Sequence, residues 1–518
     1  MRSGILLTRD KSGFFVAVVA FIVLAPIWAS PVLVTTDGPS HLYNSVVNQS
    51  IRSGQQPFVS YLTVREGWRP NRAADFVLSH LGPALGWEAA ERALFTICVV
   101  ASLVTFLFLL QSSEHLISWL VPIAAWMSQS WFVWMGFYDF SLSVSIFAAL
   151  ALVLEHGKGT ARHLAIQVLL GLLYFSHLFT FAVGVALVFG VFAWRTLRAD
   201  GPWWDALAVV PGLSVLVFAI RTGEGAAAVD PHWVGVGKSV AGLVLGDFIV
   251  SFHPFAVFVG VLIMAAVWAA ALLRIRSARA EGLWSFTGIE IFAMLLLVVS
   301  VFAPFQFGDG SYIPARLRFL AVILFLPTMA SILPLNFRPL VTWAGAAVLA
   351  ALAMHGVLIL SASRNVNRDL NTIQNLLTEA GARPGSWVLT KLSDRERGLF
   401  RISGYTHLSD RAGLRLGLVV LDNYEAYLRI FPVNWKEIPD GLTFGPVGDC
   451  WSVSLAPGQM HWLGPVLVVH DGARCIVGKK GELAAGSTLR SGQFAVTPLN
   501  RVSDDAAADR PLRLLSQY

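Results

Sequence analysis

The chain has 518 residues, of which 55% are hydrophobic and only 14% are charged, with a formal charge of +6. Soluble domains carry about 25% charged residues, so this composition and a mean hydropathy of +0.64 indicate that lipid surrounds most of the chain. A purely cytosolic enzyme is excluded, and three cysteines are too few for a disulfide framework. The net positive charge is typical of the cytoplasmic loops of membrane proteins and does not call for a nucleic-acid partner.

Apolar runs predict eleven transmembrane helices, because a bilayer core about 30 Å thick needs roughly 20 apolar residues. The run 14–34 is interpreted as a retained anchor, since no clear small-residue cleavage site precedes Thr35. The stretch from His163 to Arg195 is too long for one span and is predicted to break at Ser176-His177. The remaining runs are 92–110, 116–135, 138–154, 164–176, 178–194, 206–221, 252–273, 286–305, 316–334 and 340–361.

The basic residues of the short loops predict the orientation of these spans. With the N-terminus inside, every even-numbered loop is cytoplasmic, and cytoplasmic loops carry the excess of Lys and Arg. The basic residues that then fall inside are Arg2, Arg9, Lys11, Lys158, Arg162, Arg195, Arg198, Arg274, Arg276, Arg279 and Arg338. Eleven spans starting inside leave the C-terminus outside.

Polar residues return after Ser361, which predicts two parts: a membrane module over residues 1–361 and a soluble domain over residues 362–518. Short apolar runs between turn signals indicate an α/β or mainly β domain, entered through a linking helix over Arg364 to Thr378. Cys450 and Cys475 lie in this domain. Whether they pair remains open, since the sequence does not place their Cα atoms.

The first outer segment, residues 35–91, is long for a membrane protein, and long ordered loops are usually functional. Pro39 suits the first turn of a helix, whose apolar stripe (Leu42, Val46, Val47 and Ile51) is predicted to lie along the membrane surface. A second helix is predicted from Asn71.

Asp37 stands just beyond the first span, where a carboxylate is neither freely hydrated nor cheaply buried. It is a candidate catalytic carboxylate or a helix cap. His41 lies one helical turn further on and shares its face. His41 and Tyr43 are candidate substrate-binding residues, with anchoring at the membrane interface as the other interpretation.

Asp139 is a second candidate catalytic acid, in the tight turn Trp134-Met135-Gly136-Phe137-Tyr138-Asp139. The other interpretation, slightly favoured, is an N-cap for the helix that follows. A further acid, Asp309, is interpreted as a turn residue.

Arg316 and Arg318 enter a late span from the outside, against the positive-inside trend, so something local must balance their charge. Guanidinium groups bind phosphate oxygens bidentately, which suits a lipid-linked phosphate. Snorkelling toward headgroups, or pairing with Asp309, is the other interpretation. His177, at the predicted break between two helices, is a candidate to assist Arg316 and Arg318 or a packing residue.

The sequence has no Walker A loop, no G-x-G-x-x-G after a strand, no H-E-x-x-H, no C-x-x-C and no outer D-x-D pair. No cofactor and no metal are therefore predicted.

The pattern resembles the GT-C class of integral-membrane glycosyltransferases, which use sugars carried on polyprenyl phosphates. The resemblance rests on a cytoplasmic start, one span, an acid heading a large outer loop with two surface helices, many further spans and a polar outer C-terminal domain. It covers about residues 10 to 361. In that class the first-loop acid is typically catalytic, which matches Asp37. A later outer acid matches Asp139, and basic residues of a late loop hold the lipid phosphate, which matches Arg316 and Arg318.

The resemblance also shows a departure and an unassigned segment. Better-defined branches commonly have a second acid directly after the first, where Gly38 stands here, which weakens assignment to a protein mannosyltransferase or an aminoarabinose transferase. The segment 419–426, continuing to 431–433, looks like a stretch in the outer domains of some bacterial proteins of this type, without an assigned role.

The resemblance implies a hexosyl- or pentosyltransferase of the bacterial inner membrane, acting on its periplasmic face. It would transfer a sugar from a polyprenyl-phosphate donor to a glycan, lipid or protein by an inverting, metal-independent displacement. Two other hypotheses remain: a non-catalytic transporter or assembly subunit in envelope polysaccharide export, and a sensor whose outer domain binds a glycan.

Overall fold

The computed structural model describes residues 9–67, 69–111, 120–200, 202–221, 231–249, 253–307, 310–332, 338–392, 401–427, 431–439, 441–456, 458, 465–472, 474–479, 482–491 and 493–502. Its helices are α1 (Arg9–Ala29), α2 (Gly38–Arg52), α3 (Phe58–Tyr61), α4 (Ala73–Leu85), α5 (Trp87–Gln111), α6 (Leu120–Ser128), α7 (Trp131–Trp134), α8 (Tyr138–His156), α9 (Gly159–Ser176), α10 (Leu178–Leu197), α11 (Val210–Arg221), α12 (Val236–Leu245), α13 (Phe255–Glu281), α14 (Gly288–Phe302), α15 (Ile313–Ile332), α16 (Arg338–Glu379) and α17 (Leu408–Leu416). Short 3-10 helices cover Trp203–Val209, Leu283–Ser285 and Tyr424–Tyr427.

The molecule is a polytopic helical membrane protein, as predicted. Within the described ranges, seven helices are long and apolar enough to cross a membrane: Trp87–Gln111, Tyr138–His156, Leu178–Leu197, Trp204–Arg221, Phe255–Ala280, Ile313–Ile332 and Trp343–Glu379. Shorter apolar helices at Gly13–Ala29 and Gly288–Phe302 lie within two further predicted spans. The predicted break at Ser176-His177 is confirmed, because α9 ends at Ser176 and α10 begins at Leu178.

Two predicted elements differ in the structure. The run 116–135 is not one helix, since α6 ends at Ser128 and α7 restarts at Trp131, whose backbone N–H donates to the Phe248 carbonyl at 2.8 Å. The predicted last span and the linking helix form the single helix α16, which has 42 residues. At 1.5 Å per residue it is about 63 Å long, twice the bilayer core, so it carries the chain out to the C-terminal strands.

The first helix of the outer segment, α2, is largely buried within the protein, and the prediction that it lies along the membrane surface is wrong. Leu42 and Val47 are fully buried, and so are polar residues on other faces of α2, such as Asn44 and Ser45. The helix packs against α4 and α5 on the membrane side and against α17 on the other. Pro39 does stand in its first turn, as predicted.

The C-terminal part is rich in strands, in line with the predicted α/β or mainly β domain. Its main sheet has the order β11-β13-β9-β4-β5, with β12 paired to β13. In this sheet β4 runs parallel to both β5 and β9, whereas β13 runs antiparallel to β9. The strands are β4 (Trp387–Lys391), β5 (Val419–Val420), β9 (Val466–Asp471), β11 (Leu483–Ala485), β12 (Leu489–Ser491) and β13 (Phe494–Arg501).

A second, three-stranded sheet has the order β10-β8-β7, with β7 at Gly441–Val447, β8 at Cys450–Ala456 and β10 at Cys475–Gly478. Cys450 and Cys475 are partners in register on β8 and β10, with Cα atoms 4.4 Å apart, and form a disulfide. The pairing that the sequence left open is therefore present. Cys98 is free and buried.

The C-terminal part and the first outer segment share structure. Strand β1 (Leu62–Val64), in the outer segment, pairs antiparallel with β6 (Val433–Trp435). Arg411 of α17 donates to both carboxylate oxygens of Glu91 on α5, at 3.1 and 3.0 Å. These contacts join the C-terminal part to α5 and to the segment that precedes it. The short hairpin of β2 (Gln306–Phe307) and β3 (Gly310–Ser311) precedes α15. Asp309, which the sequence predicts to be a turn residue, lies outside the described residues.

Candidate active site

Asp37 is fixed by its backbone at the start of α2. Its N–H donates to the Met135 carbonyl at 2.8 Å, and its own carbonyl accepts the N–H groups of Ser40 and His41. Gly136 has a φ of 84°, and a Cβ there would lie 2.3 Å from the Gly38 nitrogen, so only glycine allows this close approach. The Asp37 side chain makes no capping hydrogen bond and is 14% exposed. The capping interpretation therefore does not account for it.

His407, in the C-terminal part, bridges Asp37 and a second carboxylate. Its Nε2 lies 3.6 Å from Asp37 Oδ1, and its Nδ1 lies 3.1 Å from Asp410 Oδ2. Burial opposes the charge on His407, but the two carboxylates outweigh it and raise its pKa to about 10. His407 is therefore an imidazolium at neutral pH. The Tyr424 ring lies 4.9 Å from the His407 ring, centroid to centroid, and Tyr424 lies within electrostatic range of Asp37.

His41 lies in the same region, as its spacing from Asp37 predicted, but it has a partner within the protein. Its Nδ1 is 3.0 Å from Glu425 Oε1, and both side chains are buried. Burial lowers the pKa of His41 to about 4 and raises the pKa of Glu425 well above its usual range. Burial therefore favours the uncharged form of both side chains. Asn44 adds bonds to Glu425 at 2.7 Å and to Asn423 at 3.0 Å.

Arg316 is brought to Asp37, whereas its neighbour on α15 is not. Arg316 is 7% exposed and lies within electrostatic range of Asp37 and Tyr312. His177 approaches it, with 2.7 Å between Nε2 and the Arg316 Nη1, and His177 Nδ1 faces Thr180. The guanidinium also lies 5.0 Å from the rings of Phe137 and Phe140. The predicted association of His177 with Arg316 is present in the structure.

Arg318 is occupied elsewhere, so the predicted pair of guanidinium groups is split. Its Nε and Nη2 bind Asp247 at 3.1 and 2.5 Å, and its Nη1 donates to the Ser239 carbonyl. It is 3% exposed. This bidentate pair balances the charge of Arg318, and it links α15 to the end of α12.

Asp139 and Tyr43 also contact other parts of the protein. Asp139 Oδ1 accepts the Ala74 N–H at 2.8 Å, so its carboxylate caps the N-terminus of α4, where a helix favours negative charge. This is a capping role, on a neighbouring helix rather than its own. The Tyr43 hydroxyl donates to the Leu418 carbonyl at 2.8 Å and accepts the Val420 N–H at 3.1 Å. Tyr43 therefore docks the C-terminal part against α2 instead of facing a ligand.

Several residues of the site were missed at the sequence level. His407, Asp410 and Arg401 come from the C-terminal part, and nothing local in the sequence connects them to Asp37. The Arg401 guanidinium stacks 4.4 Å from the Trp131 ring and lies within electrostatic range of Tyr312. The one available signal was the unassigned segment 419–426, because its residues Asn423, Tyr424 and Glu425 contact α2 and Asp37.

The site combines groups that suit chemistry at a membrane boundary. A partly exposed carboxylate, fixed at its backbone, lies within electrostatic range of a buried guanidinium. A carboxylate in such a setting accepts a proton, and a guanidinium stabilises an anionic leaving group. Within the described ranges, no set of three or more His, Cys, Asp or Glu side chains is arranged to hold a metal ion.

Comparison with known proteins gives a similarity at the level of shape. Two crystal structures of ArnT from Cupriavidus metallidurans, one bound to undecaprenyl phosphate and one in the apo state, match with TM-scores of 0.46 and 0.48. Each alignment has 11% sequence identity and covers 94% of this chain and 97% of the other. The sequence matches no protein-family profile and no curated protein sequence.

Proposed function

We propose that the protein is a membrane glycosyltransferase that transfers a sugar from a polyprenyl-phosphate donor to an envelope glycan, lipid or protein. The observation that carries the proposal is that Asp37 and Arg316 lie within electrostatic range of each other. They come from the two ends of the membrane module. The reaction needs one group that accepts a proton and one that stabilises a departing phosphate.

The chemistry is a single displacement at the anomeric carbon. A hydroxyl oxygen of the acceptor forms the new glycosidic bond while the bond from the anomeric carbon to the phosphate oxygen breaks. Asp37 takes the hydroxyl proton, and the phosphate leaves with the bonding electron pair, stabilised by Arg316. Without a covalent intermediate, this route inverts the anomeric configuration.

The surroundings of Arg316 support a phosphate site next to Asp37. His177 and the two aromatic rings fix the guanidinium, so little side-chain freedom would be lost on binding. Tyr312 is within electrostatic range of both Arg316 and Arg401, which places a second cation near the same tyrosine. We assign Arg316 to the donor phosphate, because Arg318 is paired with the Asp247 carboxylate and Arg401 donates to the Asp247 carbonyl.

The test replaces the proposed base and follows transfer of label from polyprenyl-phosphate-linked sugars in membranes that contain the full-length protein. Asp37→Asn is expected to lower transfer at least about 100-fold, the usual contribution of a general base, at an unchanged protein level. Asp205→Asn is the matched control, because Asp205 pairs with Arg162 at 2.5 Å far from Asp37. Transfer by Asp37→Asn within a few-fold of wild type would refute the role of this carboxylate.

A further inference from the structure

The C-terminal part contributes a charged side chain to the proposed base. His407 immediately precedes α17, and its side chain is 10% exposed. It lies between two carboxylates: Asp37, from the membrane module, and the fully buried Asp410, three residues further along its own chain. A cation between two carboxylates offsets the free-energy cost of burying their negative charge.

We propose that His407, held by Asp410, is a positioning residue that pairs with the Asp37 carboxylate and orients it for catalysis. The inference rests on the proposed role of Asp37 as the base. It gives the C-terminal part a direct share in the active site, beyond stabilising the membrane module. His407 is already protonated, so it does not take the acceptor's proton itself; that proton goes to Asp37.

The charges around His407 determine the sign of the expected effect. The titratable groups that face it are Asp37, Asp410, Asp422, His41 and Tyr424. Of these, His41 is neutral at pH 7 because burial lowers its pKa to about 4. Burial raises the pKa of Asp422 to about 7 and raises the pKa of Tyr424. Two further cations are nearby: Arg316 is within electrostatic range of Asp37, and Arg411 is within range of Asp410. The imidazolium is the cation that lies between the two carboxylates, and its loss favours protonation of the carboxylates beside it.

A test that needs neither donor nor acceptor is carbodiimide labelling of Asp37. An apolar carbodiimide reacts with a carboxyl group that carries its proton, so labelling declines as pH rises through the point where the group ionises. Mass spectrometry of the full-length protein in detergent gives the labelled fraction of Asp37 at each pH, and hence a midpoint. In His407→Gln this midpoint is expected to rise by about 1–3 pH units, the usual effect of an opposite charge within 4–6 Å.

Three further variants complete the design. Asp410→Asn weakens the hold on His407 and is expected to move the midpoint in the same direction by less. His407→Lys retains a positive charge and is expected to recover at least half of the shift. His163→Gln is the matched control, since His163 also faces a carboxylate, Asp205, at 3.3 Å, but on another part of the molecule. Its midpoint should equal that of wild type.

A merely structural role of His407 predicts a different result. In that case His407→Gln lowers the melting temperature but leaves the Asp37 midpoint unchanged, and this result overturns the proposal. If His407→Gln does not fold, the Asp410→Asn and His407→Lys variants test the proposal instead. A wild-type Asp37 midpoint in folded Asp410→Asn likewise overturns the proposal. An equal shift in His163→Gln also overturns it. The labelling needs no turnover, so its result is independent of the transfer assay. The role of His407 can therefore be refuted while the proposed function holds, and the proposed function can be refuted while the role of His407 holds.

Discussion

Gly38 stands where better-defined GT-C branches commonly have a second acid, and its surroundings show why no acid occupies that position in this chain. A Cβ at this position would lie 2.1 Å from Thr35 Oγ1, 2.6 Å from the Tyr138 hydroxyl and 2.7 Å from Glu91 Oε1. The three atoms belong to different elements, and Glu91 is itself fixed by Arg411. A second acid directly after Asp37 therefore has no room in this chain.

The same geometry makes Gly38→Ala a sharp prediction. One added methyl group must displace buried polar atoms, which is expected to cost about 1–3 kcal/mol of stability and to shift Asp37, its neighbour. The measurement is thermal unfolding in detergent together with sugar transfer. Gly171→Ala is the control, because nothing lies within 4 Å of a Cβ there and alanine favours a helix interior. A Gly38→Ala protein as stable and active as wild type would contradict the packing argument.

At the scale of elements, helix α15 separates two arginines that look like a pair in sequence. Residues two apart point about 200° apart around a helix. Arg316 thus faces Asp37 and His177, whereas Arg318 faces Asp247 on the opposite side. Helical geometry would have predicted this divergence of Arg316 and Arg318, provided that the sequence had shown the helix to begin at residue 313.

Arg318→Gln and Arg316→Gln are therefore expected to fail in different ways. Arg318→Gln leaves Asp247 without its bidentate partner, which is expected to destabilise the protein by about 1–3 kcal/mol, and Asp247→Asn in the same chain should restore part of the loss. Arg316→Gln should mainly lower kcat, because it removes the charge that stabilises the departing phosphate, and should also raise the KM for the lipid-linked donor. Thermal unfolding and transfer kinetics on the same preparations separate the two. A stable Arg318→Gln protein with a raised KM would place Arg318 at the donor instead.

The local sequence pattern predicted where several helices begin and end, but not which parts of the chain pack against them. The break at His177 and Pro39 in the first turn of α2 follow from chain geometry and residue type. The burial of α2 does not, because its second partner, α17, lies hundreds of residues away in sequence. The same separation in sequence explains why His407 was missed. It is a single histidine in a polar domain, and nothing in the residues around it indicates that it lies close to Asp37. The segment 419–426 could be noticed, but its role needed the contacts to α2.

At the scale of the whole molecule, the membrane helices and the C-terminal part share one site. Arg411 binds Glu91, β1 pairs with β6, and Tyr43 bonds to the backbone on both sides of Val419. A fragment starting near Arg364 would lack both α2 and β1, which makes an isolated glycan-binding sensor a poor description. The proposed base therefore lies on the side of the membrane that holds the C-terminal part.

The face of transfer can be tested by cysteine labelling of whole cells. Basic loops predict that the C-terminal part is outside, and the Cys450–Cys475 disulfide is typical of an oxidising compartment. The disulfide and the buried Cys98 leave a low background, so one exposed cysteine at a time can be introduced. A membrane-impermeant maleimide is expected to label Glu437→Cys in intact spheroplasts, and to label Thr160→Cys, in the first turn of α9, only after permeabilisation. If instead Thr160→Cys is labelled in intact spheroplasts and Glu437→Cys only after permeabilisation, Asp37 faces the cytoplasm. The proposed transfer would then take place on the cytoplasmic face.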